Sequence, residues 1–143
     1  MNAQSWLLVH LVATAVLTGV GWVVQLVVYP GFARVGRGEW AVYHAAHLRG
    51  ITRVVAVPWA AQGASTVALL VAPPPGQLLF ALVLGLLAAG AVAATVLGAV
   101  PAHGRLSSGA GAPEREVATL LRANLARTLA WTVATGSAAA LLG

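Results

Sequence analysis

The chain contains no cysteine among its 143 residues. Disulfide bonds, iron–sulfur clusters, thiolate zinc sites and thiol catalysis are therefore excluded. Charged side chains are also scarce, since Asp, Glu, Lys and Arg together make up 8% of the sequence and only three residues are acidic. A soluble domain needs a larger charged surface. With 59% hydrophobic residues and a mean hydropathy of +0.87, the composition predicts an integral membrane protein.

The basic residues are few but unevenly distributed. The formal net charge is +5, yet the sequence has no basic run and no basic–aromatic stripe, so we expect no binding to nucleic acid. The eight arginines fall in two regions: Arg34, Arg37, Arg49, Arg53, and Arg105, Arg115, Arg122, Arg127. The positive-inside rule places both regions in the cytoplasm and both termini outside. The expected location is a bacterial plasma membrane, with the lipid bilayer as a partner.

Four apolar segments are long enough to span a bilayer, for which about 20 residues suffice. We predict spans at residues 5–29, 54–72, 77–100 and 123–142, with prolines at 30, 73–75 and 101 stopping the first three. The cytoplasmic connection, residues 30–53, is expected to be partly helical and to continue into the second span through Pro58. The predicted fold is all-α, a single four-helix bundle domain over residues 1–143.

The last span carries a charge. Only sixteen residues follow Arg127, so the span must begin near Ala123 and take Asn124 and Arg127 into the bilayer. A charged side chain inside a membrane is costly and is a functional candidate by default. If Arg127 is buried it needs a partner, for which Glu39 is a candidate. The alternative is that its long side chain snorkels to the membrane interface.

Polar residues recur near the cytoplasmic ends of all four spans. In the first span a series of residues recurs every three or four positions and therefore shares one helix face: His10, Thr14, Thr18, Gly21, Gln25 and Tyr29. We predict a pocket near the cytoplasmic face lined by Gln25, Tyr29, Glu39, Tyr43, His44, His47, His103, Asn124 and Arg127. His10 lies near the other membrane face and is predicted to be a core histidine bonded to a neighbouring span.

Chemical roles follow from residue type. His44 or His47 could take a proton from a phenol or an acidic carbon, and Arg127 with Asn124 could stabilise the resulting oxyanion. Gln25, Tyr29, Tyr43 and Trp131 are the candidate substrate-binding residues. Three imidazoles, of His44, His47 and His103, could also hold zinc, copper or iron. Interfacial histidines without any metal are the alternative, so the cofactor is left open between a His-ligated ion and none.

Two pairs of motifs resemble a known family. They are YPGF at residues 29–32 with YHAAH at 43–47, and PxHxxL at 101–106 with NLART at 124–128. Together they resemble the anthrone-oxygenase-like family of small four-span membrane proteins. His103 stands where that family more often has asparagine. The resemblance implies oxidation of a polycyclic aromatic substrate by dioxygen.

Three functions are compatible with this sequence. The first is a membrane-embedded oxidoreductase, oxygenase-like, that acts on a lipophilic aromatic or quinone-like small molecule. The second is a non-catalytic membrane subunit or scaffold whose interhelical polar contacts are structural. The third is a small transporter component, although the sequence lacks an inverted repeat. A homo-oligomer is compatible with each of the three.

Overall fold

The protein is a bundle of long helices. The computed structural model describes residues 1–142, which form four long helices: α1 Ala3–Phe32, α2 Trp40–Val71, α3 Leu78–Ser108 and α4 Glu114–Leu142. No strand occurs in this part of the chain, and Gly143 lies outside it. The all-α prediction is confirmed.

Within residues 1–142, three helices are long and apolar enough to cross a membrane, namely α1, α2 and α3. This finding is consistent with the membrane protein that the composition predicts. α4 does not belong to the set. It carries four of its five charged side chains ahead of residue 123, those of Glu114, Arg115, Glu116 and Arg122. It nevertheless packs along both α1 and α3, so it forms part of the same bundle.

The helices are arranged in a closed ring. α1 packs against α2 and α4, and α3 packs against the same two helices, so that consecutive helices are neighbours. Short connections between neighbours give the up-down-up-down order of a four-helix bundle. Gly76 has a φ of 74° in the turn between α2 and α3, a left-handed conformation that glycine adopts without strain.

The core is divided along the bundle. At the end that carries the arginines, which we call the arginine-rich end, Tyr29, Phe32 and Trp40 pack with Leu106 and Leu120. A second cluster at the opposite end contains residues such as Leu7, Leu69 and Leu84, and a small middle cluster joins the two around Trp131. The arginine-rich end therefore holds most of the buried aromatic side chains.

Prolines do not end α1 and α3, contrary to the sequence prediction. α1 continues through Pro30 to Phe32, and α3 continues through Pro101 to Ser108. In each helix a π-helical turn, at Val24–Val28 and at Thr95–Ala99, ends two residues before the proline. A wider turn removes the clash between a proline ring and the carbonyl four residues earlier, which explains why the helices continue.

The other helix limits also differ in part from the predicted spans. α2 is one continuous helix from Trp40 to Val71 with Pro58 inside it. The later part of the connection, residues 40–53, is thus helical and continues into the second apolar segment. α4, which contains the predicted span at residues 123–142, begins at Glu114, and Glu114 and Glu116 occupy its first turn, as the sequence indicates for the start of a new helix. Negative side chains at that position are stabilised by the positive end of the helix dipole.

Glycines allow two close approaches to α4. A Cβ on Gly21 of α1 would collide with the side chain of Thr128, and a Cβ on Gly98 of α3 would lie 2.8 Å from the Cβ of Ala123. Gly90, one of the other glycines of α3, has nothing within 4 Å of such a Cβ. Gly98, unlike Gly90, therefore serves close helix packing, the role that small residues have in membrane bundles.

Candidate functional site

A cavity of about 440 Å³ lies between the four helices and extends from the middle of the bundle towards the arginine-rich end. Its wall is mainly apolar, with Val20, Val24, Ile51, Val55, Trp59 and Ala99 among its lining residues. The polar lining residues are Tyr29, Thr52, Thr95, His103, Ser107, Asn124 and Arg127. Apolar walls with a few polar groups are typical of sites for small lipophilic molecules.

Asn124 connects α4 to α1. Its side chain is fully buried, and Nδ2 donates to the carbonyl oxygen of Gly21 at 3.0 Å and to Oε1 of Gln25 at 2.8 Å. Oδ1 accepts from Nε and Nη2 of Arg127 at 3.2 and 2.9 Å. The amide is thus fully hydrogen-bonded, and it fixes the direction of the Arg127 guanidinium.

Arg127 is oriented without a carboxylate partner. Its Cζ lies 5.8 Å from the centroid of the Trp131 ring, a distance at which cation–π attraction operates. The ion pair found within residues 1–142 joins Arg105 to Glu116 at 2.9 Å. Glu39 is exposed ahead of α2 and does not line the cavity, so it is not the partner that the sequence suggested. Three of the five N–H donors of Arg127 are left for another acceptor.

A second polar group in the wall consists of Tyr29 and His103. The Tyr29 hydroxyl lies 3.2 Å from Nε2 of His103, and Nδ1 of His103 lies 3.1 Å from Nε2 of His44. His44 is 2% exposed and lies behind His103, outside the cavity wall. The cavity therefore contains a hydroxyl–imidazole pair, a combination that can accept or donate a proton.

Aromatic packing holds these imidazoles in place. The indole ring of Trp40 stacks on His44 with centroids 5.1 Å apart, and its Nε1 donates to the carbonyl oxygen of Leu106 at 3.0 Å. Phe32 meets both His44 and His47 edge to face, at 6.0 and 5.0 Å between centroids. The start of α2 is thereby fastened to the end of α3, which sets the distance between His44 and His103.

Trp40→Phe is expected to lower the free energy of unfolding by about 1 to 3 kcal/mol, because the buried Leu106 carbonyl loses its indole partner. Trp22→Phe is the matched control, since Trp22 donates to Thr132 at 3.3 Å in an exposed pair. Melting of the purified variants in mild detergent, followed by circular dichroism, measures the difference. Equal melting temperatures for the two variants would contradict this role of Trp40.

The remaining predicted site residues lie near the cavity but not in its wall. Gln25 touches it only through Asn124, and Tyr43 is 41% exposed against Phe32. His47 packs beside His103 with centroids 5.8 Å apart, and its Nε2 is buried without a hydrogen-bond partner. Of the residues predicted to bind substrate, Tyr29 and Trp131 line the cavity.

Some contributors were not singled out from the sequence. Thr52, Thr95 and Ser107 supply hydroxyl groups to the wall, and Trp59 packs edge to face on Trp131 with centroids 6.2 Å apart. Thr52 lies one helical turn from Leu48 on α2, so a helical-face count from His44 could have found it. Nothing in the sequence marks Thr95, because its position depends on the π-helical turn of α3.

A shared metal ion is the other sequence-based interpretation of the three histidines. In residues 1–142, no three His, Asp or Glu side chains are arranged as ligands of one ion. The facing nitrogens of His44 and His103 are instead at hydrogen-bond distance from each other. Zinc, copper or iron at His44, His47 and His103 stays a prediction, which elemental analysis of the purified protein tests.

His10 lies in the other half of the bundle. It is fully buried on α1, and its Nδ1 lies 3.2 Å from the hydroxyl of Ser65 on α2. The interpretation as a core histidine bonded to a neighbouring helix is confirmed. His10 is not among the residues that line the cavity.

Comparisons with protein-family models, with curated proteins and with solved structures find no match to the chain. The cavity and its side chains, together with the motif resemblance of the sequence, are the features that point to a function.

Proposed function

We propose that the protein is a membrane-embedded, oxygenase-like oxidoreductase that acts on a lipophilic aromatic or quinone-like molecule in this cavity. The observation that carries the proposal is the presence in one apolar cavity of an oriented cation, Arg127, and of a hydroxyl–imidazole pair, Tyr29 and His103. The resemblance of residues 29–32 and 124–128 to the anthrone-oxygenase-like motifs supports the same substrate class.

In the proposed setting α4 is a fourth span, since its 29 residues extend about 43 Å and it packs beside α1 and α3. Both termini are outside the cell and the arginine-rich end faces the cytoplasm, because the arginines cluster there. A planar substrate reaches the cavity from the bilayer, into which such molecules partition. The apolar walls exclude water from the reacting atoms.

The proposed chemistry is written for anthrone, a tricyclic ketone with an acidic CH₂ group. Arg127 holds the ketone oxygen, and the Tyr29–His103 pair removes one proton from the CH₂ carbon, which leaves the electron pair as an enolate. Charge develops on the oxygen at Arg127, where a fixed donor stabilises it. His44 and His47, to which the sequence gave the proton-accepting role, lie outside the wall, so His103 takes that role here.

The second half of the reaction consumes dioxygen as the oxidant. The enolate carbon gives its electrons to O₂ and forms a C–O bond, and the proton returns to the peroxide to make a hydroperoxide. Loss of water then converts the carbon to a second carbonyl. One oxygen atom enters the quinone product and the other leaves as water, so anthrone and O₂ give anthraquinone and H₂O.

Oxidation of anthrone by the protein in lipid vesicles tests the proposal, with O₂ uptake and the quinone spectrum as the readouts. We expect turnover above that of empty vesicles. Thr52→Trp should remove most of it, because Thr52 lines the cavity and an indole there fills the space. Val54→Trp is the matched control on the same helix, since Val54 is 53% exposed and does not line the cavity.

Turnover no faster than in empty vesicles, or equal rates for Thr52→Trp and Val54→Trp, would count against a reaction in this cavity.

The second candidate function, a non-catalytic membrane subunit, is favoured by other contacts. Thr18 and Thr135 are 3.2 Å apart across α1 and α4, and Trp131 donates to Gln62 of α2 at 3.1 Å. Such bonds between helices stabilise a bundle whether or not it is an enzyme.

A further inference from the structure

Four side chains form a continuous hydrogen-bonded row from the cavity wall to the surface. The row begins at the Tyr29 hydroxyl, passes through His103 at 3.2 Å and His44 at 3.1 Å, and ends at Ser107, whose hydroxyl is 3.4 Å from Nδ1 of His44. Tyr29 is 2% exposed, whereas Ser107 is exposed near the end of α3. The row therefore connects a buried phenol with the arginine-rich end.

The direction of these hydrogen bonds is fixed at the surface end. The single hydroxyl hydrogen of Ser107 donates to the carbonyl oxygen of His103 at 2.9 Å, so Ser107 must accept from Nδ1–H of His44. A neutral imidazole has one N–H, which leaves Nε2 of His44 to accept from Nδ1–H of His103. By the same argument, Nε2 of His103 accepts from the Tyr29 hydroxyl. Both histidines then carry their hydrogen on Nδ1.

We propose that Tyr29, His103, His44 and Ser107 form a proton-transfer chain between the cavity and the surface. This inference rests on the proposed function, which supplies the proton at its inner end. His44 lies outside the cavity wall, and Ser107 lines the cavity where α3 reaches the surface. Both act as relay residues that reset the Tyr29–His103 pair.

One transfer balances at every link. The substrate proton goes to the Tyr29 oxygen, and the Tyr29 hydrogen goes to Nε2 of His103. The Nδ1 hydrogen of His103 goes to Nε2 of His44, and the Nδ1 hydrogen of His44 leaves through Ser107 to water. Both imidazoles are then neutral with the hydrogen on Nε2. A proton entering from the surface reverses each step and delivers a hydrogen at Tyr29, where the peroxide needs one.

The proton-transfer chain predicts that His44 and His103 have the same tautomer, with hydrogen on Nδ1, which can be measured without substrate. In ¹⁵N-histidine NMR spectra of the protein in lipid vesicles, we expect His44 and His103 to carry hydrogen on Nδ1 and to have unprotonated Nε2 nitrogens. Ser107→Ala removes the acceptor for Nδ1–H of His44, so both histidines should change to the Nε2–H form. Ser108→Ala is the matched control, because Ser108 donates to the Arg105 carbonyl at 3.0 Å and has no histidine partner.

Wild-type spectra with hydrogen on Nε2 of either histidine would overturn the proposal, as would unchanged tautomers in Ser107→Ala. The anthrone assay separates this failure from that of the proposed function. We expect Ser107→Ala to slow turnover about tenfold or more, since proton transfer contributes roughly 10²–10⁴-fold to such reactions, and Ser108→Ala to leave it unchanged. A wild-type rate in Ser107→Ala overturns the relay and leaves the oxidase activity standing. If the tautomers of His44 and His103 change together in Ser107→Ala but the protein does not oxidise anthrone, the proton-transfer chain is upheld and the proposed activity is overturned.

Discussion

Arg127→Ala is expected to lower kcat/KM for anthrone oxidation roughly 10²–10³-fold, the usual effect of removing one donor to a developing oxyanion. The guanidinium is held by two hydrogen bonds to Asn124 and by the Trp131 ring, so it needs no reorganisation when charge develops. Arg122→Ala is the matched control on the same helix, because Arg122 is exposed and does not line the cavity. Initial rates in lipid vesicles at several anthrone concentrations measure the effect.

Arg127→Lys should lose most of the same activity although it keeps the charge. An ammonium group on a flexible stem lacks the planar fork that lets Arg127 bond Asn124 with one edge and a ligand with the other. If Arg127→Ala and Arg122→Ala oxidise anthrone equally well, the guanidinium has no part in the reaction. A loss of thermal stability without loss of activity would show that Arg127 stabilises the bundle and takes no part in the reaction.

Gly21→Val is expected to destabilise the bundle strongly. A side chain at this position collides with Thr128, and forcing extra carbon atoms into a packed core costs about 1–3 kcal/mol. Moving α1 away from α4 would also break the bond from Asn124 to the Gly21 carbonyl, and an unpaired buried amide costs a further ~1–3 kcal/mol. The melting temperature of the variant in mild detergent measures the loss.

Gly19→Val gives the control for this experiment, because a Cβ at Gly19 has no heavy atom within 4 Å. Both substitutions introduce the same β-branched residue into the same helix, so intrinsic helix propensity cancels in the comparison. Similar melting temperatures for the two variants would show that α1 and α4 can separate at low cost. The arrangement of Asn124 and Arg127 would then not depend on close helix packing.

Much of the architecture could be predicted because it depends on length and hydropathy. Runs of apolar residues define the helices, and the arginines mark one end of the bundle. The periodicity of α1 placed Gln25 on an inward face, and Gln25 does bond Asn124. The same reasoning brought His103 and Asn124 to one end of the molecule, where both line the cavity.

Details that depend on exact helix geometry could not be predicted. Pro30 and Pro101 were expected to end their helices, since sequence patterns do not show a π-helical turn that accommodates a proline. Glu39 was placed in the pocket because it shares a helical face with His47, but it is exposed ahead of α2. His44 lies behind His103 with Trp40 stacked on it, a contact between aromatic rings that residue spacing does not specify.

The π-helical turn of α1 also determines which way Tyr29 faces. Tyr29 follows His10 by 19 residues, and nineteen steps of about 100° in a regular α-helix would leave it about 100° past the face of His10. A π-helical turn accommodates one additional residue per turn and so takes up that excess rotation. Both side chains are in fact buried inside the bundle.

The number of residues between His10 and Tyr29 consequently determines whether α1 needs a π-helical turn. With one residue fewer, eighteen steps of about 100° make five complete turns, and the phenol keeps its direction in a regular α-helix. Pro30 would then lose the wider turn that accommodates it. A related chain that is one residue shorter in this segment should therefore lack both the π-helical turn and a proline at the position of Pro30.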